Sequence, residues 1–434
     1  MIRTLVKLED ILKVNPSSWS KKEGWTYLRY LDTANITNGR IDEIVTFDTK
    51  TDKIPSRARR IVQNGDFVYS TVRPNQKHFG LLKNIEDNLV VSTGFAVLRS
   101  KYPEDFDTRF IYLLVTQDFI TNYLHGIAEN NTSAYPALRP QDITDLEFEI
   151  PPISDQKLIA DFIENLDDKI ELNQKINQTL EEIAKAIFKS WFVDFDPVRA
   201  KAEGRPTGLP PEISDLFPDE LVDSEIGEIP KGWSVGAIAD FASLNKKTIN
   251  PSQSSEIYEH FSIPAFDNRQ SPVLDLGTDI KSNKTLVPEG SLLVSKLNPN
   301  TPRVWLPNPK DLHEQICSTE FMVYTATDHS NIAFLWGLFT SSLVAGRMEA
   351  MVTGTSKSHQ RVKPNDVSGI MTVTPDARLV KTYGDTVLPI LNRTLVGKSE
   401  STVLSELRDT LLPKLISGEL RIPDVEKFLE EAGL

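Results

Sequence analysis

The chain has 434 residues, with 48 Lys and Arg against 61 Asp and Glu, 27 Pro, one Cys and a hydrophobic fraction of 39%. That length suits two to three domains with their own cores, and the balance of charged and apolar residues excludes wholesale disorder. The lone Cys317 excludes a disulfide framework and a Cys-based zinc ribbon. No apolar signal region opens the sequence, and its longest strongly apolar run, Ile332–Phe339, is too short to span a bilayer, so the expectation is a cytoplasmic protein without a membrane partner.

The net charge of −13 is unevenly placed. Residues 151–230 hold 8 basic and 18 acidic side chains, whereas residues 1–150 hold 19 and 20. Acidity therefore belongs to a central segment, and the large blocks on either side are near neutral. Such blocks can meet DNA locally, although neutralising phosphates needs more Lys and Arg than they carry.

In chain order, the first 152 residues read as β-rich. Ile61-Val62 and Phe67-Val68 flank Asn64-Gly65, the dipeptide of a type I′ hairpin, and Val90–Leu98 reads as one buried strand. A single helix is expected at about Thr108–His125. Next, over 153–194, Ile159, Ile163, Leu166, Ile170, Asn173, Asn177, Leu180, Ala184, Ile187 and Trp191 follow a strict 4-3 spacing, the pattern of a partner-facing helical seam. Two adjacent Asn in that seam fix register at some cost in stability. Residues 195–232 are Pro-rich and acidic, and predict an extended crossing connection.

Residues 233–376 then repeat the first block at an offset of about 225. Asn64–Asn75 aligns with Glu289–Asn300, Ser92-Thr93-Gly94-Phe95 with Ser318-Thr319-Glu320-Phe321, and Arg139-Pro140-Gln141-Asp142 with Lys363-Pro364-Asn365-Asp366. Three matches in one order indicate a duplication of the domain. Ile316–Thr325 is the second buried strand and His329–Met351 the second single helix. A second long helix occupies 377–418, with Val380, Tyr383, Val387 and Ile390 at one end, Leu404, Leu407, Leu411 and Leu415 at the other, and a polar middle. Polar centre against polar centre predicts that the two helices pair antiparallel; Pro389 either kinks the second or marks its start. Residues 419–434 form a tail. The expected class is α+β: two homologous β-rich domains, each followed by a long helix, related by a pseudo-two-fold.

No catalytic constellation accompanies this architecture. The six His form no His-x-x-x-His pair, and Gly397-Lys398-Ser399 lacks the upstream glycine of a phosphate-binding loop. Asp167-Asp168-Lys169 lacks the Pro-Asp of a nuclease signature, and Asn298-Pro299-Asn300 fails as an adenine-methylation motif at its third position. The reading is a non-catalytic chain with no metal site.

Four stretches carry a resemblance: Ile150-Pro151-Pro152-Ile153-Ser154-Asp155-Gln156-Lys157-Leu158-Ile159-Ala160, Ala186-Ile187-Phe188-Lys189-Ser190-Trp191-Phe192-Val193-Asp194-Phe195, Gly227-Glu228-Ile229-Pro230-Lys231-Gly232-Trp233, and Leu412-Pro413-Lys414-Leu415-Ile416-Ser417-Gly418-Glu419-Leu420. They resemble the specificity subunit of type I restriction–modification enzymes. The resemblance implies two target-recognition domains, each reading half of a bipartite double-stranded DNA site, and paired helices that set the gap. It implies two methyltransferase subunits and, optionally, two restriction subunits as partners, which would carry S-adenosylmethionine, ATP and Mg; this chain would hold no cofactor. The rival reading is a structural adaptor whose duplicated domains bind proteins.

Direct readout uses Arg or Lys on guanine, Asn or Gln on adenine, and hydroxyls on either. On that chemistry the candidate base readers are Arg73, Asn75, Gln76 and Lys77 with Asn131, Thr132, Ser133 and Tyr135 in the first copy. Those of the second are Lys296, Asn298, Asn300 and Arg303 with Thr355, Ser356, Lys357, Ser358 and His359. Arg57, Arg59 and Arg60 bring charge without reading geometry and are candidate phosphate contacts.

Overall fold

The structure is a computed structural model describing residues 3–130, 136–329, 331–352, 360–425 and 427. It divides into two compact units, residues 1–168 with 406–434, and residues 169–405.

In the first unit, two four-stranded sheets are built from β-branched and aromatic runs. One has the order Val45–Asp48, Tyr27–Leu31, Leu89–Ser92, Ala58–Ile61, and its two central strands are parallel. The other has the order Leu12–Val14, Phe95–Ser100, Phe67–Ser70, Phe79–Leu81, all antiparallel. Side chains alternate across Phe67–Ser70: Phe67 and Tyr69 pack with Phe110, Ile111 and Leu114 of the helix Thr108–Val115, while Val68 packs with Leu31 and Val91 of the other sheet. Two apolar layers thus cover both faces of this strand.

The second unit repeats the plan. A five-stranded sheet runs Thr248–Ile249, Lys284–Leu286, Glu314–Ser318, Ile257–Phe261, Val273–Leu276, again with one parallel pair, Ile257–Phe261 beside Glu314–Ser318. A four-stranded sheet runs Ala242–Asn245, Phe321–Ala326, Ser291–Ser295, Val304–Trp305. Leu292, Val294, Met322 and Tyr324 face Phe334 and its helix, Asn331–Thr340; Leu293 and Val323 face Phe261 and Cys317. In each unit a short strand from the start of the copy closes on one from its end, Thr4–Lys7 on Glu147–Ile150 and Ser234–Ala237 on Met371–Thr374. The fold is α+β, as expected.

The two long helices are Ile153–Phe192 and Ala377–Ser417. In the first unit Ile159 and Ile163, with half-buried Leu166, share a core with Leu411 and Leu415, flanked by Leu407, and Arg408 pairs with Asp167 at 2.6 Å. In the second unit Asn173 Nδ2 donates to Glu400 at 3.1 Å, Lys398 pairs with Glu181 at 2.8 Å, and Trp191 packs on Tyr383. Rising numbers in one helix meet falling numbers in the other, so the helices are antiparallel within each unit. Asn173 and Asn177 are buried; Ile170, Leu180, Ile187 and Leu404 are half-buried. Gly397 gives Asn177 its space, because a Cβ there would stand 2.5 Å from Asn177 Oδ1.

Several local expectations are corrected. Asn64-Gly65 does not close a hairpin: Ala58–Ile61 and Phe67–Ser70 belong to different sheets, and Gly65, at φ +84°, turns the chain between them. Val90–Leu98 is two strands separated by Thr93-Gly94, and Ile316–Thr325 is likewise split at Thr319-Glu320, because each run crosses from one sheet to the other. Each expected single helix is two, Thr108–Val115 and Asp118–Asn130 in one copy, Asn331–Thr340 and Ser342–Ala350 in the other; Ser341 caps the last by accepting from Val344 N. Pro389 is exposed inside a continuous helix and does not begin it.

Residues 195–232 are not an extended connection either. Pro197 and Pro211 stand in the first turns of short helices, Asp196–Ala202 and Pro211–Ser214, and Leu221–Ser224 pairs with Gly227–Pro230. Phe195, Val198, Phe217 and Ile229 are buried with Trp191 and Trp233. Composition drew attention to the prolines, whereas spaced aromatic anchors decide the structure. No helix among the described residues is long and apolar enough to cross a membrane.

Candidate nucleic-acid interface

In each copy a strand of the all-antiparallel sheet leads directly into the first candidate reader loop. Phe67–Ser70 ends in a hydroxyl clamp: Ser70 Oγ donates to Val72 O at 2.9 Å and accepts from Val72 N at 3.2 Å. Ser295 does the same for Leu297, at 3.0 and 3.1 Å. The next residue takes a left-handed conformation in both copies, Arg73 at φ +48° and Asn298 at φ +50°. That region is uncommon for residues with a Cβ, and least so for Asn. The clamp and the reversal end each strand in the same way.

Both loops are also strapped to the segment just after the second candidate loop. Val72 bridges Ala137, Arg73 N donates to Pro136 O at 2.9 Å, and Leu138 N donates to Thr71 O at 2.7 Å. In the other unit Leu297 bridges Arg361, Asn298 N donates to Gln360 O at 2.8 Å, and Val362 N donates to Lys296 O at 3.0 Å. A third segment joins by Thr71 N to Gly94 O at 2.8 Å and Lys296 N to Glu320 O at 2.9 Å.

The predicted readers occupy these loops unequally. Arg73, Asn75 and Gln76 are exposed, the latter two in the tight turn Pro74–Gln76. Lys77 is paired with Asp118 at 2.6 Å. In the second copy Asn300 is exposed and Lys296 half-buried, while Asn298 Oδ1 is buried without a partner among the described residues. Arg303 departs from the expectation: paired with Asp267 at 2.6 and 2.8 Å, its side chain is only 12% exposed, so burial withdraws it from the surface. Asn131, Thr132, Ser133, Tyr135, Thr355, Ser356, Lys357, Ser358 and His359 lie outside the described residues.

Arg57, Arg59 and Arg60 lie on or beside the edge strand Ala58–Ile61 of the other sheet. Arg57 and Arg59 are exposed, and Arg59 Nε donates to Ser56 O at 3.2 Å. Arg60 is half-buried, and its Nε has no partner among the described residues; burial lowers its proton affinity. Two of the three therefore present charge outward.

Sequence reasoning missed Arg361, whose Nε and Nη2 donate to the two carboxylate oxygens of Glu320 at 3.1 Å each; Glu320 holds the guanidinium's proton affinity above its ordinary value. A signal for this pair was available. Glu320 stands opposite Gly94 within a matched stretch of the duplication, and Arg361 stands two residues before the match at Lys363, as Ala137 does before Arg139.

Residues 4–182 match the family described as type I restriction modification DNA specificity domain. The chain is 28% identical over 445 aligned residues to the HindI specificity subunit of Haemophilus influenzae, with 90% of this chain and 94% of that protein aligned. It is 24% identical to the MjaIX specificity subunit of Methanocaldococcus jannaschii, with 84% and 80% aligned. The crystal structure of a type I restriction–modification S subunit from M. genitalium shares the fold, at 12% identity and a TM-score of 0.57 over 95% of this chain and 96% of that one. Residues 4–182 thus match the type I restriction modification DNA specificity domain, and the chain as a whole is similar to specificity subunits of type I restriction enzymes along most of its length.

Proposed function

We propose that this subunit reads a bipartite, asymmetric DNA site, with residues 1–152 and 233–376 as its two target-recognition domains. The observation that carries the reading is the repeated junction: in each copy the first candidate loop and the flank of the second are tied by the same main-chain bridge, Val72 to Ala137 and Leu297 to Arg361. A common frame with different side chains suits two readers of different half-sites. Base contacts give specificity, while phosphate contacts fix register. The helical segments 153–194 and 377–418 act as the spacer that sets the gap between halves. Two methyltransferase subunits, and optionally two restriction subunits, dock on this chain and bring S-adenosylmethionine, ATP and Mg, together with the chemistry.

The test is methylation mapping of DNA from a host that expresses this chain with its methyltransferase partner. The expected result is one two-part motif with a fixed gap. Methylation at a single continuous motif overturns the reading.

A further inference from the structure

The junction that ties the reader loops is built from main-chain bonds in both units, yet only one unit adds a charged pair to it. In the second unit Lys296 N meets Glu320 O, Leu297 bridges Arg361, and the Arg361 guanidinium lies edge-on to the Glu320 carboxylate. The Arg361 side chain is 44% exposed and that of Glu320 26%, so the pair stands at the surface beside Lys296 and Asn298. In the first unit the same bonds form with Gly94 and Ala137 in those places. A Cβ at Gly94 would stand 2.9 Å from Thr33 Cγ2, so that unit has no space for a side chain there unless Thr33 moves. The frame therefore folds without the pair, and the pair is an addition beside the first candidate loop of one unit.

We propose that Arg361, positioned by Glu320, determines one base pair of the half-site read by residues 233–376, with guanine as its target, and that the other half-site has no counterpart. This rests on the reading of the two domains as DNA readers. The carboxylate engages Nε and Nη2, the side edge of the fork, and guanine O6 and N7 accept from an arginine in bidentate fashion. A carboxylate on the side edge holds the plane of the guanidinium and lowers the ordering cost of that contact. Glu320 is the positioning residue and Arg361 the reader.

The experiment is methylation mapping of the complex with four forms of this chain: wild type, Arg361→Ala, Glu320→Gln, and the double variant Glu320→Gly with Arg361→Ala, which installs the first unit's own residues. Arg361→Ala should lower discrimination at one position of one half-site by roughly tenfold to hundredfold. Glu320→Gln should relax the same position less. The other half-site and the gap should not change in any form. The double variant should keep its thermal stability and show the same relaxed position, which separates lost reading from lost folding. Full discrimination by Arg361→Ala or the double variant, or an even loss of methylation across all sequences, overturns the inference while a two-part wild-type motif leaves the domain reading standing. A wild-type complex that methylates no two-part motif overturns both.

Discussion

A buried ion pair in one copy is a hydroxyl pair in the other, and this sets up a transplant. Arg99 Nε and Nη2 donate to Asp66 at 2.7 Å each, with Asp66 fully buried and the Arg99 side chain 20% exposed. At the equivalent register of the second unit, Ser291 faces Thr325 and their hydroxyls meet at 3.2 Å. Both pairs stand at the start of the strand that ends in the reader loop. Arg99→Thr strands a fully buried carboxylate and should cost about 3–5 kcal/mol. Asp66→Ser leaves an arginine that can extend to water, and should cost roughly 1–3 kcal/mol.

The double variant leaves no stranded charge. It gains one hydroxyl contact and loses the acceptor for Gln63 N, which Asp66 Oδ2 holds at 2.9 Å, so it should lie within about 2 kcal/mol of wild type. The coupling between the two substitutions should therefore exceed about 2 kcal/mol. Hydrogen exchange of amides in Phe67–Ser70 and Phe95–Ser100 reads this unit alone, avoiding a global unfolding curve for a chain of two units. A double variant that loses the sum of the singles would refute the argument, because the ion pair would then contribute more than the hydroxyls can replace.

Three further expectations concern the second unit and the helices. Gly397→Ala gains about 1 kcal/mol of helix propensity but sets a Cβ 2.5 Å from Asn177 Oδ1, an overlap costing about 1–3 kcal/mol, so it should destabilise; with Asn177→Ala it should stabilise, and exchange of the seam amides showing the same sign in both backgrounds would refute this. Burial lowers the proton affinity of His260 and outweighs the contact with Asp275 at 2.7 Å, so the folded state binds a proton less readily than the unfolded chain. Stability present above the ordinary His value of 6.5 is then lost as pH falls below it, and His260→Gln should flatten that slope in thermal unfolding at pH 7.5, 6.5 and 5.5. One heptad inserted in each long helix, between Asn177 and Gln178 and between Gly397 and Lys398, keeps the seam in phase and should lengthen the unread gap by about 10 Å, roughly three base pairs; an active variant with an unchanged methylated motif places the spacing elsewhere.

The long helices were the most legible part of the sequence, because ten positions at 4-3 spacing outlast any accidental pattern. The duplication was legible for a related reason: Ser70 and Ser295, or Ser92 and Ser318, recur with their hydrogen bonds and not merely as letters. What the sequence hid was long-range. Nothing local to Val90–Leu98 tells that Thr93-Gly94 is a crossing between sheets, since both halves are equally apolar. Asn64-Gly65 supplied the turn chemistry of a hairpin, but the partners of the flanking strands are chosen by residues far away in sequence. At the candidate site, residue type indicated Arg303 and could not reveal that its side chain is buried beside Asp267. Likewise the left-handed turn at Arg73 goes against the preference of its residue type and is held by the bonds that tie Val72 and Arg73 to Ala137 and Pro136, which are remote in sequence.

The charge pattern carries the reading one step further. Domain blocks that are near neutral hold few cations to spare for phosphates, and the ion pairs of the candidate interface deepen that. Lys77 is matched by Asp118, Arg303 by Asp267 and Arg361 by Glu320, each within about hydrogen-bonding distance. Carboxylates among the readers reduce the attraction of the surface for any sequence, and so reduce the non-specific term that competes with the specific one. They also raise the cost of a wrong base, because a reader arginine placed against a poor acceptor gains little to offset leaving water. If these loops read DNA as proposed, an interface built this way would discriminate well and hold weakly. On the proposed reading the partner subunits would supply the grip on the backbone, so that sequence choice and chemistry would reside on separate chains.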